Sequence, residues 1–156
     1  MIPRVWVRLS GGWWQHRERC LRSRGFVRRI QVGVYKMYVE EHGGYVSLLA
    51  EFAGEPRLPH KMLSVFIAPG ARIGSGVTIH QQVTIGKNDD PDSPRFGSPT
   101  IGDGVYIGAG AQVIGAVTVG AGARIGAGAV VVHDVPPGAT VVSAPARVIL
   151  RDITPV

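Results

Sequence analysis

From Ile67 onward the chain repeats on a six-residue step. Aliphatic side chains fall at Ile67, Ile73, Ile79 and Ile85, then at Ile101, Ile107, Val113, Val119, Ile125 and Val131. Four places after these stand Ala71, Val77, Val83, Val105, Ala111, Val117, Ala123, Ala129 and Val135, all Ala or Val. Glycine directly follows the aliphatic residue at Gly74, Gly86, Gly102, Gly108, Gly120 and Gly126, where the chain has to turn tightly. A helix repeats every 3.6 residues and a strand every two, so neither produces a sustained step of six. A triangular coil does. Each hexapeptide forms one flat side with its aliphatic residue inward, a small residue sits near the corner, and three sides close a turn whose backbone pairs with the turns above and below. The run Val105 to Val132 could pass for a buried helix, but its glycines would each cost about 1 kcal/mol in a helix interior.

The period breaks twice. Ile85 and Ile101 are 16 apart, and the polar, proline-rich residues 87–99 between them read as a loop expelled from the coil. Upstream, Val46, Phe52 and Leu58 again step by six, but Ile67 follows Leu58 by nine, so about three extra residues sit near Pro59-His60-Lys61. Irregularities in a regular solenoid are where function concentrates.

Before the coil the pattern is helical. Val27, Ile30, Val34 and Met37 or Tyr38 recur at helical spacing with Arg28 and Arg29 between them, and Gly11-Gly12 beside Trp13-Trp14 suggests a break ahead of that helix. The expectation is that this apolar stripe packs on the main domain while the arginines stay in water. Charge follows the same boundary. Residues 1–36 carry nine Arg or Lys against Glu18, a net +8, and the other 120 residues sum to −2. No nucleic-acid-binding motif accompanies the basic segment, so nucleic acid is not the expected partner, and a weak contact with an anionic membrane surface is the alternative to a solvated face. With 22 Gly, 11 Pro and Cys20 alone, the composition excludes a disulfide scaffold and favours a turn-rich fold. The absence of a run of about 18 apolar residues argues against a membrane-spanning helix, and Arg4 and Arg8 interrupt the opening apolar stretch, so the reading is a cytoplasmic protein without a signal peptide. The division expected is a basic, mostly helical segment over 1–44, a coil over 45–150 and a short tail over 151–156.

The segment Leu58-Pro59-His60, the run from Thr78 to Gly86 containing Gln81-Gln82-Val83-Thr84-Ile85-Gly86, and the run from Ile101 to Ala111 resemble the bacterial serine O-acetyltransferases. More closely, they resemble the short, serine acetyltransferase-like members often associated with polysaccharide gene clusters. The likeness covers about residues 45 to 150. It implies an all-β, left-handed parallel β-helix, usually a homotrimer, which transfers acetyl from acetyl-CoA to a hydroxyl at a cleft between subunits and needs no metal.

By that resemblance His60 is the catalytic base: an alcohol must lose its proton as it attacks a thioester, and imidazole titrates near the working pH. His80 occupies a position that is aliphatic or aromatic in the family and reads as an outward or interface side chain. The cofactor is expected along Ala109, Gly110, Ala127 and Gly128, with His133 and Arg147 near its pantetheine or phosphates. Gln81, Ser98 and Arg95 are the candidate acceptor contacts. The resemblance also has gaps. The family's orienting aspartate, fifteen residues before the base, falls on Tyr45, so that carboxylate is missing or supplied by Glu40, Glu41, Glu51 or Glu55. A family histidine before the Pro-x-Ile segment is Ser98, and the arginine beside it is Gly97. The family's long helical domain before the coil is here a short basic segment. His16 and His42 lie outside the motifs and are expected in solvent.

Serine O-acetylation is therefore the first reading and acetylation of a sugar or polysaccharide precursor the second. From another class comes a non-catalytic trimeric scaffold, against which the retained Leu-Pro-His speaks. A γ-type carbonic anhydrase on the same fold needs three imidazoles around zinc, two of them close in sequence, and His60, His80 and His133 lack that spacing.

Overall fold

The computed structural model describes residues 2–144. Three helices, α1 (Ile2–Leu9), α2 (Trp13–Arg22) and α3 (Gly25–Glu41), precede thirteen short strands. The strands are β1 (Tyr45–Val46), β2 (Glu51–Phe52), β3 (Phe66–Ile67), β4 (Arg72–Ile73), β5 (Thr78–Ile79), β6 (Thr84–Gly86) and β7 (Thr100–Ile101). They continue with β8 (Tyr106–Ile107), β9 (Gln112–Ile114), β10 (Thr118–Val119), β11 (Arg124–Ile125), β12 (Val130–Val131) and β13 (Thr140–Val141). Every strand-to-strand pairing is parallel. The first wall orders β1-β3-β6-β9-β12, the second β2-β4-β7-β10 and the third β5-β8-β11-β13, so the chain visits one wall after another as it winds.

Register shows where the period breaks. Phe66 faces Thr84 and Gln112 faces Val130, steps of 18 residues and hence three hexapeptides. Thr84 to Gln112 is 28, the extra ten being the expelled loop. Tyr45 to Phe66 is 21, the extra three being the bulge around His60. The inward column is dry: Ile79, Ile85, Ile107, Val113 and Ile125 are fully buried, each contributing roughly 1.5–3 kcal/mol of transfer free energy. Close stacking explains the glycines after these residues. A Cβ on Gly102 would lie 2.6 Å from the Ala121 nitrogen of the next turn.

The helices close the upper end of the coil, where the inward column would otherwise meet water. Cys20, Tyr35 and Val39 join the same core as the isoleucines. The Tyr35 hydroxyl donates to the Val46 carbonyl at 3.1 Å, the Arg17 guanidinium donates to the Ala50 carbonyl, and Trp14 meets Phe52 edge-on at 5.5 Å. Two expectations are corrected. The face of α3 that packs inward carries Val32, Tyr35, Tyr38 and Val39, so Tyr38 of the expected stripe packs, whereas Val27, Ile30 and Met37 are exposed. Tyr35 and Val39 share the buried core cluster with Val46, whose carbonyl accepts the Tyr35 hydroxyl. His16 is fully buried, its Nδ1 3.1 Å from the Ser10 hydroxyl and its Nε2 3.0 Å from the Gln31 carbonyl, so it ties α2 to α3. His42 is half-buried, with Nδ1 2.7 Å from the Tyr38 carbonyl.

Candidate active site at the corner between the third and first walls

His60 sits in a tight turn. The Lys61 N–H donates to the Leu58 carbonyl at 2.9 Å, placing Pro59 and His60 at the two central positions, and proline presets the backbone angle the first of these needs. A second tight segment follows, from Met62 to Val65, in which Met62 is buried and Ser64 donates its N–H to His42. Lys61 and Ser64 both adopt left-handed backbone conformations, with φ of 60° and 51°. Such positions cost about 1–2 kcal/mol each for residues other than glycine. The three extra residues thus form an anchored bulge that holds the His60 imidazole in solvent.

This bulge lies on the corner between the third wall and the first. Arg57 pairs with Thr78, which faces Tyr106, which faces Arg124, so the residues just after these four stack along one edge. His60 is followed down that edge by His80-Gln81, then Ala109-Gly110, then Ala127-Gly128. The Gly110 N–H donates to the Gln81 carbonyl at 3.0 Å and the Gly128 N–H to the Ala109 carbonyl at 2.9 Å. Gly110 and Gly128 have φ of 67° and 66°, and a side chain on either would meet open space. Gln82, the equivalent residue one turn up, holds the same conformation at φ 61° without being glycine. The Oε1 atom of Gln81 is buried and without a protein partner.

Beside this edge runs a ladder of rings. His60 and His80 are 5.6 Å apart, His80 and Tyr106 5.0 Å apart, and the Arg124 guanidinium lies 5.0 Å above the Tyr106 ring. Tyr106 and Arg124 escaped the sequence reading, although their six-residue register puts them on one wall with Thr78. Tyr45, at the place of the family's aspartate, stacks on Phe66 at 5.1 Å instead.

The other candidates occupy a different edge. Ser98, Arg95 and His133 all lie between the first wall and the second, across the width of the first wall from His60. Ser98 donates its hydroxyl to the Pro69 carbonyl at 2.7 Å, and Arg95 pairs with Asp134 at 3.2 Å. The Asp134 carboxylate also accepts the Thr118 N–H at 2.9 Å; that bond first, then Arg95, holds its carboxyl below the usual range. A cleft of about 840 Å³ opens on the outer face of the first wall beside this edge, lined by Phe66, Thr84, Lys87, Asp89 and Ser98 among others. His133 is exposed and does not share the edge of Ala109 and Ala127. Arg147 lies outside the described residues. Among the described residues no cluster of three metal-ligating side chains occurs.

Comparison with known proteins agrees with the repeat and the turns. Residues 98–133 match the family described as bacterial transferase hexapeptide (six repeats). The serine acetyltransferase of Mycobacterium tuberculosis is 40% identical over 116 residues, 73% of this chain and 45% of that protein. Among solved structures, soybean serine acetyltransferase complexed with serine aligns with a TM-score of 0.69 at 34% identity, over 88% of this chain and 56% of that one. A serine acetyltransferase in complex with CoA aligns at 0.63 and 27% identity, over 78% and 48%. The chain spans about half the length of the relatives it matches. With a six-residue step wound on three parallel walls, it is a hexapeptide-repeat protein similar in sequence and fold to the serine acetyltransferases.

Proposed function

We propose that the protein is an acetyl-CoA-dependent O-acetyltransferase in which His60 is the general base. The observation that carries this is the placement of a solvent-facing imidazole, on an anchored turn, at the head of an edge of small residues with open backbone. Glycine and alanine at positions 109, 110, 127 and 128 leave room for the pantetheine arm of CoA against the backbone, which is the fit the chemistry requires. Coiling is left-handed in this reading, as the resemblance implies.

In the reaction, His60 accepts the proton of an acceptor hydroxyl as the oxygen bonds to the thioester carbonyl carbon. When the tetrahedral adduct collapses, the carbon–sulfur bond breaks and the imidazolium returns its proton to the departing thiolate. The products are the acetyl ester and free CoA, with His60 neutral again. The family's orienting carboxylate has no equivalent at Tyr45, and the ring that His60 meets instead is His80. Gln81, on the same edge, is the candidate acceptor contact within the chain, its buried Oε1 being available once the side chain turns outward.

Ser98, Arg95 and His133 reach His60 only if a second copy sets its first-to-second-wall edge against the first copy's third-to-first-wall edge. A homotrimer closes such head-to-tail contacts, and each of its three clefts then holds His60 from one chain and the loop from another. Serine is the first acceptor to test, because the solved relative is complexed with serine. A sugar hydroxyl is second, supported by Ser98 at the cleft and by the pairing of Arg95 with Asp134, which competes with a substrate carboxylate for the one guanidinium of the loop. Thiol release from acetyl-CoA decides the class. With serine or a nucleotide sugar supplied, His60→Ala should lose about 10²- to 10⁴-fold in rate with unchanged melting. Folded wild-type protein that releases no thiol with any hydroxyl acceptor overturns the proposal.

A further inference from the structure

The helical cap presents a surface that neither the coil nor the acetyl-transfer reading uses. On α3, Phe26, Val27, Ile30 and Met37 recur at helical spacing and are exposed, Phe26 by 75%. On α1, Val5, Trp6 and Leu9 are exposed, Leu9 by 81%. Helix α1 packs beside α3. Arg4 of α1 pairs with Glu41 at 3.1 Å, and Glu41 lies one helical turn beyond Met37 on the same face of α3. Arg29 and Lys36 flank the α3 stripe and Arg8 the α1 stripe, while Arg28 leaves the opposite side of α3; all four are exposed. The acids nearby are few. Glu18 is engaged by Arg17 and Arg22 and Glu41 by Arg4, which leaves Glu40, beside Met37, as the acid at the edge of the stripe.

Exposed apolar stripes on paired helices need a cover, and charge decides which. A second copy would bring the same +8 segment against itself, a like-charge contact that opposes association. An anionic lipid surface supplies negative charge for the arginines and hydrocarbon for Phe26, Ile30 and Leu9, with Trp6 suited to the interface between them. We propose that α1 and α3 lie flat on an anionic membrane surface and hold the coil at the bilayer. No helix of the described residues is long and apolar enough to cross a membrane, so the attachment is in the plane of the headgroups.

Vesicle flotation tests this on the full chain, independently of the acetyl-transfer reading. The protein should float with vesicles of phosphatidylcholine mixed with phosphatidylglycerol, remain at the bottom with phosphatidylcholine alone, and bind less as salt rises. Arg29→Glu with Lys36→Glu should weaken binding at least about tenfold, since each cation near such a surface contributes about 1 kcal/mol. Phe26→Asp with Ile30→Asp should abolish flotation while leaving the melting temperature unchanged, because both side chains are exposed. Failure to float with either vesicle, or flotation indifferent to both double variants, overturns the proposal. So does sedimentation showing that Phe26→Asp with Ile30→Asp splits the assembly into smaller species without any loss of lipid binding, for the stripe would then be a contact between copies.

Discussion

Single side chains in this fold are sorted by what their polar atoms can reach. His16 and Arg17 are adjacent and both buried, yet neither is a site. His16 has both nitrogens occupied by α1 and α3, and Arg17 spends its guanidinium on Ala50, Glu18 and the rings of Trp14 and Phe52. His60 has the opposite situation, since its turn bonds through the backbone and leaves the ring to solvent and to His80. That contrast was half visible in the sequence: Leu-Pro-His with three residues too many announces a turn that displays its histidine, while His16 is buried by partners that no local pattern reveals. Cys20 offers a clean check of the cap at this scale. Burial raises its thiol to about 11, so the neutral form is what the folded cap contains. The folded value lies above the unfolded one, so the associated stability is complete below about pH 9 and fades as pH climbs toward 11. At pH 8 or so, a disulfide reagent should label Cys20 only slowly in the native protein and immediately in denaturant. Rapid native labelling would show that α2 does not pack as described.

Among the elements, legibility follows the number of ways a pattern can be satisfied. The inward isoleucines were readable because a six-step column has one dry side and no alternative. Helix α3 carries two apolar stripes, one through Val27, Ile30, Val34 and Met37 and one through Val32, Tyr35, Tyr38 and Val39, and of the expected positions Tyr38 falls on the packed one. The packed one is fixed by partners outside the helix, such as the Val46 carbonyl that accepts the Tyr35 hydroxyl. The expelled loop was readable as a loop but not as a held one. Its base is clamped by reciprocal bonds between Asn88 and Gly97 at 2.9 Å each, its Ser93 ties Asn88 and Arg95, and Arg95 reaches Asp134. The depressed Asp134 carboxyl makes the last contact testable by acid. A folded value below the unfolded one means the clamp is intact above the usual carboxylate range and is lost only as pH falls through the lowered value. Hydrogen exchange at the Thr118 amide should therefore stay protected at about pH 5 and open well below it, while Asp134→Asn should show weaker protection throughout. Equal protection in both proteins would mean that Asp134 does not hold the loop.

For the molecule as a whole, the distribution of candidates over two edges is what the coil geometry forces. A chain wound in a triangle keeps residues of one corner in one column, so the loop inserted after the first wall stays a full wall width from the bulge inserted before it. One chain alone cannot bring Ser98 to His60. Two dead variants can then rescue each other if the site is shared between copies. His60→Ala lacks the base but has an intact loop, and a bulky Ser98→Trp blocks the loop edge but keeps the base. Each alone should release no thiol from acetyl-CoA. Unfolded together, mixed equally and refolded, their trimers join an intact His60 to an intact loop at about a quarter of the clefts, because each side of a cleft is drawn independently from two kinds of chain. Recovery near that fraction of wild-type rate, absent when the variants are refolded apart, is the expected result. If the mixture stays inactive while the separate variants remain folded, then either the loop and the base work within one chain, or the 840 Å³ cleft beside Ser98 has no part in acetyl transfer.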